Sequence, residues 1–161
     1  MNTNSHALSK SPILPRPLAL PLRVVPSIAH SSALVTVLNK VFASALRDGE
    51  LDFLEGQVML VRVSDANLEF RLTLSGNKLR VANKRRPHDL SIEGTVFDFM
   101  LLATRREDAD TLFFNRRLKL GGSTELGLYV KNFLDALEIE ERWEPLLKVL
   151  NRTTSVVERF A

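Results

Sequence analysis

The spacing of apolar positions changes along the chain. From Ser31 to Arg47, the residues Leu34, Val37, Leu38, Val41, Phe42 and Ala45 recur three and four apart, which predicts an amphipathic helix. Ser31 or Ser32 can cap its start, Arg47 suits the negative end of its dipole, and Asp48-Gly49 stops it. The period then drops to two. Strands are expected at Gln57–Val63, Leu68–Leu74, Leu79–Ala82, Leu90–Glu93 and Leu118–Leu120, the first three joined by the turns Ser64-Asp65-Ala66-Asn67 and Ser75-Gly76-Asn77-Lys78. Phe70, Leu72 and Leu74 share a face, as do Leu79 with Val81, Leu90 with Ile92, and Leu118 with Leu120. Glu69, Arg71, Thr73, Arg80, Ser91, Glu93, Arg117 and Lys119 fall on the other. One greasy face and one wet face describe an antiparallel or mixed sheet covered by helices on a single side. Val58 and Leu60 depart from this pattern, so the first strand is expected to be covered on both sides.

The covering helices follow from the same reading. Thr95–Thr104 offers Val96, Phe97, Met100 and Leu101, and Asp108–Phe114 is short and ends in paired phenylalanines. Ser123–Leu137 places Leu126, Val130, Phe133, Leu134 and Leu137 on one stripe. Gly121-Gly122 before it reads either as a tight strand-to-helix turn or as free N–H groups offered to an anion. Pro145 suits the first turn of a last amphipathic helix reaching about Phe160, with Leu146, Leu150, Val157 and Phe160 opposite Lys148, Arg152 and Arg159. The fold class is α/β (α+β): a five-stranded, mostly antiparallel sheet covered on one face by helices.

At 161 residues the chain has room for one domain with a real core. Residues 1–29 form a polar tail and then a proline-rich arm, PILPRPLALPLRVVPSI from Pro12 to Ile28, whose leucines and valines need cover. The arm either packs on its own domain or docks on a membrane or partner. Residues 30–140 form the domain, and 141–161 the closing helix. No apolar run approaches the roughly 18–20 residues that span a bilayer, so a soluble or peripheral protein is expected.

Charge adds a direction. Residues 1–47 carry five bases and no acid, whereas the remaining 114 residues hold 17 basic and 19 acidic side chains. A basic, acid-free start favours anionic surfaces such as phospholipid headgroups. It is also compatible with a mitochondrial presequence, although five prolines between Pro12 and Pro26 would interrupt the helix such a leader needs. Cytoplasmic residence is expected, with peripheral contact at an inner membrane.

The search for catalytic groups is mostly negative. There is no cysteine, which excludes disulfides and thiolate chemistry held by this chain alone. His6, His30 and His88 have no second histidine at ligand spacing, so no metal site is expected. Nucleophile-elbow, phosphate-loop, dinucleotide and zinc-protease motifs are all lacking. Asp48, Glu50, Asp52 and Glu55 are spaced as a solvated acidic loop. His88 beside Asp89 has no nucleophile next to it. Lys84-Arg85-Arg86 lacks the aromatic platform of a nucleic-acid site and reads as a solvated loop or a phospholipid contact. Neither a catalytic residue nor a cofactor is expected, and no nucleic acid.

One long segment points further. Asp110–Glu138, DTLFFNRRLKLGGSTELGLYVKNFLDALE, resembles the closing strand and helix of the sterol-carrier-protein domain. It is more similar still to the bacterial accessory factors of anaerobic ubiquinone biosynthesis. Asp48–Gly56, DGELDFLEG, resembles the approach to that family's first strand, and the likeness covers roughly residues 30–140. The chain ends Arg159-Phe160-Ala161, without the peroxisomal tripeptide of eukaryotic sterol carriers. The resemblance implies an apolar tunnel between sheet and helices, and a lipid-binding accessory role rather than catalysis. The implied lipid is an isoprenoid quinone precursor or a phospholipid, and the implied partners are the iron–sulfur hydroxylase pair of oxygen-independent ubiquinone synthesis. Phe70, Leu72, Leu90, Phe97, Met100, Leu101, Phe133 and Leu134 are then expected to line or flank a tunnel bounded by the helices at 95–104, 123–137 and 145–160. Arg16, Arg23, Arg152 and Arg159 are expected to approach anionic headgroups. Exposing a hydrocarbon tail costs about 0.8 kcal/mol per CH₂, so an intermediate on a long tail needs such a carrier. The competing readings are a solid-cored protein-interaction module, a general phospholipid carrier and an enzyme acting on a lipid head group. A homodimer through the apolar arm fits any of them.

Overall fold

A computed structural model of the chain describes residues 27–137 and, beyond them, the single helical positions Pro145, Lys148, Val149, Arg152 and Arg159. The elements are α1 (Ser27–Val41), α2 (Ala43–Arg47), a 3-10 turn (Asp52–Leu54), β1 (Met59–Val63), β2 (Leu68–Ser75), β3 (Lys78–Val81), β4 (Leu90–Gly94), α3 (Val96–Ala103), α4 (Ala109–Phe114), β5 (Lys119–Gly122) and α5 (Thr124–Ala136). The single helix expected at 31–47 is therefore two. It starts earlier, at Ser27, and breaks at Phe42, whose φ of −97° and ψ of 18° lie off helical values. The Phe42 ring meets Phe133 edge-on at 5.4 Å, an aromatic contact that anchors the break.

The strand order is β3-β2-β1-β4-β5. Three neighbouring pairs are antiparallel and β1–β4 is parallel, so the sheet is mixed. Register explains its two faces. Met59 stands level with Leu72 and Leu90, and Val61 with Phe70 and Ile92, giving apolar rows across three strands. On the opposite face Arg62 stands level with Glu69 and Glu93, to which it donates at 2.9 and 3.3 Å. Those carboxylates hold the guanidinium pKa above its ordinary value. Exposed pairs of this kind add little stability, but they mark the solvent face. Leu60 of β1 and Val58 just before it are nonetheless both buried, which sets this stretch apart from the charged positions on the same face.

Four positions depart from the alternation. Val81 and Leu120, on the edge strands, are exposed, and Thr73 is buried. Arg117, expected to face water, is nearly buried: its Nε donates to Asp98 Oδ1 at 2.8 Å and its Nη1 to Glu107 at 3.3 Å. Its guanidinium also lies over the Phe97 ring at 5.5 Å. The strand expected at Leu118–Leu120 shifts to Lys119–Gly122, and both glycines pair within it, with Ser91 and Leu90. Gly122 has φ +82°, and a Cβ there would lie 2.5 Å from the Asp89 carbonyl oxygen, so only glycine lets the chain pass this close. Ser123 then caps α5 by accepting from the Leu126 N–H.

Asp98 does two jobs. It closes a capping box with Thr95, whose hydroxyl donates to Asp98 Oδ2 at 2.7 Å, and it receives Arg117 while only 1% exposed. Removing one partner of a buried ion pair leaves the other charge uncompensated. Arg117→Leu is expected to cost about 3 kcal/mol of unfolding free energy, read as a lower urea midpoint at constant slope; a loss under about 1 kcal/mol would contradict this account of the pair.

Candidate lipid-binding site

Helix α3, VFDFMLLA, has Asp98 as its one polar residue. Phe97 and Leu101 are buried and pack with Ile92, Leu112 and Leu118. Val96, Phe99, Met100 and Ala103, three and four apart, make a second apolar face. A helix apolar on two sides needs cover on both. On the second side, among the described residues, lies a cavity of about 470 Å³.

Its floor is the sheet, through Met59, Val61 and Val63 of β1 with Phe70, Leu72 and Ile92 of the flanking strands. Its walls are Leu34, Val37, Leu38 and Val41 of α1, the second face of α3, and Val130, Phe133 and Leu134 of α5. Leu51, Phe53 and Leu54 close one end. Among the described residues every lining side chain is apolar, and none of them offers a group for proton transfer, metal ligation or phosphate binding. It can enclose hydrocarbon, and its volume lies within the range of ordinary ligand sites.

A polar clamp places α1. The Asn39 side-chain amide donates to the Leu79 carbonyl and accepts from the Leu79 N–H, both at 2.8 Å. These are outward-facing backbone groups of the edge strand β3, so Asn39 takes the place of a neighbouring strand and pins α1 to the sheet. Leu34 and Leu38 pack on the core on one side, yet with Val41 they stay half-buried where they border the cavity.

The eight residues expected to line or flank a tunnel divide. Phe70, Leu72, Met100, Phe133 and Leu134 line the cavity. Leu90, Phe97 and Leu101 do not. Leu90 is fully buried in the cluster with Leu74, Leu79 and Val130, while Phe97 and Leu101 occupy the packed face of α3. With both faces of α3 apolar, periodicity could not choose between them. The wall formed by α1 was missed, since a stripe such as Leu34–Val41 signals burial but not what lies opposite. Arg152 and Arg159 are helical and exposed; Arg16 and Arg23 lie outside the described residues, as does most of the expected wall at 145–160. Asp48, Glu50, Asp52 and Glu55 are all exposed. Among the described residues, no group of three or more His, Asp or Glu is placed to hold a metal, and no helix is long and apolar enough to cross a membrane.

Residues 36–135 match the SCP-2 sterol transfer family. The chain belongs to that family. The segments Asp48–Gly56 and Asp110–Glu138 that carry the sequence resemblance fall inside the matched span or at its edge. Within the SCP-2 family, the chain is 39% identical over 144 residues to the ubiquinone biosynthesis accessory factor UbiT of Escherichia coli K12, covering 89% of this chain and 82% of UbiT. UbiT of Escherichia coli O157:H7 is equally similar. A solved UbiJ-SCP2 ubiquinone synthesis protein superposes with a TM-score of 0.55 at 17% identity, over 68% of this chain and 96% of its own, a likeness of fold. The SCP-2 fold expected from the sequence is the fold observed.

The division of α3 into a packed and a cavity face has a measurable consequence. Leu101→Ala empties a packed site and is expected to cost about 3 kcal/mol. Met100→Ala enlarges space that already exists and is expected to cost about 1 kcal/mol. Equal costs in chemical denaturation would contradict the division.

Proposed function

We propose that this protein is a lipid-binding accessory factor of ubiquinone biosynthesis, and that it holds isoprenoid quinone intermediates for the oxygen-independent route. The observation that carries the reading is the cavity between sheet and helices, lined among the described residues by apolar side chains alone, in a chain 39% identical to UbiT. The tail fills the cavity, its water-exposed CH₂ groups each gaining about 0.8 kcal/mol, and the ring stays reachable. The role is carriage, not turnover. The iron–sulfur hydroxylase pair of that route receives the intermediate, and the exposed Arg152 and Arg159 meet anionic headgroups when the lipid is exchanged at the inner membrane. An apolar space of about 470 Å³ between sheet and helices disfavours the solid-cored interaction module; a general phospholipid carrier is the second reading, and the same experiment separates the two.

Native mass spectrometry of gently purified protein, followed by lipid extraction, tests the proposal. One isoprenoid quinone precursor per chain is expected, and Ala103→Trp, which places an indole in the cavity, is expected to lose most of it while remaining folded. Phospholipid alone would favour the general carrier. Protein that takes up neither lipid overturns both readings. Raising salt to about 1 M, where the Debye length shrinks to about 3 Å, is expected to release the protein from anionic vesicles; binding that ignores salt contradicts headgroup contact through arginine.

A further inference from the structure

The apolar cavity has a polar neighbour. A groove of about 580 Å³ is lined by Phe53, Gln57, Ser123, Glu125, Leu126 and Tyr129. Phe53 lines the cavity as well, so the two spaces share this residue as a common wall. Helix α5 runs past both: Leu126 and Tyr129 face the groove, and Val130, Phe133, Leu134 and Leu137 face the cavity, in one stripe of three- and four-residue steps. Tyr129 stacks on Phe53 with ring centroids 5.7 Å apart and 16° between planes, and it is 48% exposed.

We propose that this groove is the head-group subsite for a lipid whose tail occupies the cavity, and that it takes a flat, hydroxylated aromatic ring. The proposal rests on the carrier reading above. The near-parallel Phe53–Tyr129 stack offers a surface on which a third ring can stack in offset geometry. Gln57 and the Ser123 hydroxyl supply donors and acceptors for ring oxygens. Glu125 places a carboxylate in the groove, and among the described residues no lining side chain is basic. A phosphate head group would meet repulsion there, whereas a neutral phenol can donate a hydrogen bond to the carboxylate. The groove thus selects an aromatic head over a phospholipid head on the same kind of tail.

Three probes test this by titration against the full chain: a farnesylated phenol, farnesol and lysophosphatidic acid. Wild type is expected to bind the farnesylated phenol most tightly. Tyr129→Leu is expected to weaken that probe about tenfold while leaving farnesol within about twofold. Glu125→Gln is expected to strengthen lysophosphatidic acid several-fold. Circular dichroism of both variants should match wild type, since both positions are exposed. Equal loss for the phenol and farnesol, no loss for either, or a wild-type preference for lysophosphatidic acid overturns the head-group subsite and leaves the carrier reading standing. Wild type that binds none of the three overturns the carrier reading, and the subsite with it.

Discussion

The buried pair of Asp98 and Arg117 holds α3 in one orientation over the sheet, and the cavity depends on that orientation. Both long faces of α3 are apolar, so hydrophobic burial alone would let the helix roll. Asp98 lies beside Phe97 and Leu101 and meets a guanidinium that itself covers the Phe97 ring. The ion pair therefore selects which face packs and which borders empty space. A buried pair of this kind adds little net stability over an apolar substitute; its contribution is to specify one arrangement among several greasy ones. Its partner Arg117 comes from the segment before β5, which ties the choice to the closing strand.

An apolar cavity tends to collapse unless its walls are anchored elsewhere. Here each wall has its own anchor. The floor is fixed by the β1–β2 and β1–β4 registers and by the charged ladder behind them. Helix α1 is fixed by Asn39 at the β3 edge. Helix α5 is capped by Ser123 and tied to α4 through Lys131 and Asp110. That tie also holds the Lys131 ammonium above its ordinary pKa, through the hydrogen bond and charge of Asp110. Polar contacts at the periphery thus keep open a space whose described lining is apolar throughout. A ligand that fills it restores the contacts the lining residues lack, and stabilises the fold by mass action.

Much of this was legible in the sequence. Alternation from Leu68 to Leu74 located β2 within a residue, and Thr95, Asp108 and Ser123 were legible as helix starts because their side chains cap the next turn. The α5 stripe was legible too, and it lies where expected. Four features were hidden, each for a physical reason. Arg117 looked like a solvent-facing charge because its partner is 19 residues away, on another element. The break at Phe42 leaves no mark, since the apolar period runs through it from Val41 to Ala45. Cavity and core share one composition, so neither the role of α1 nor the exclusion of Phe97 and Leu101 could be read from spacing. The groove at Phe53 and Tyr129 escaped for a related reason: its residues come from two segments some 70 positions apart.

Only three methionines occur in the chain, and two of them, Met59 in the floor and Met100 in the wall, border the cavity. Their methyl groups report directly on what occupies it. Methyl-labelled protein titrated with a farnesylated phenol should shift both the Met59 and Met100 resonances, and both should show intermolecular contacts to the isoprenoid methyls. A bound ligand that leaves both methionines unshifted and without contacts would place the tail elsewhere and contradict the central claim.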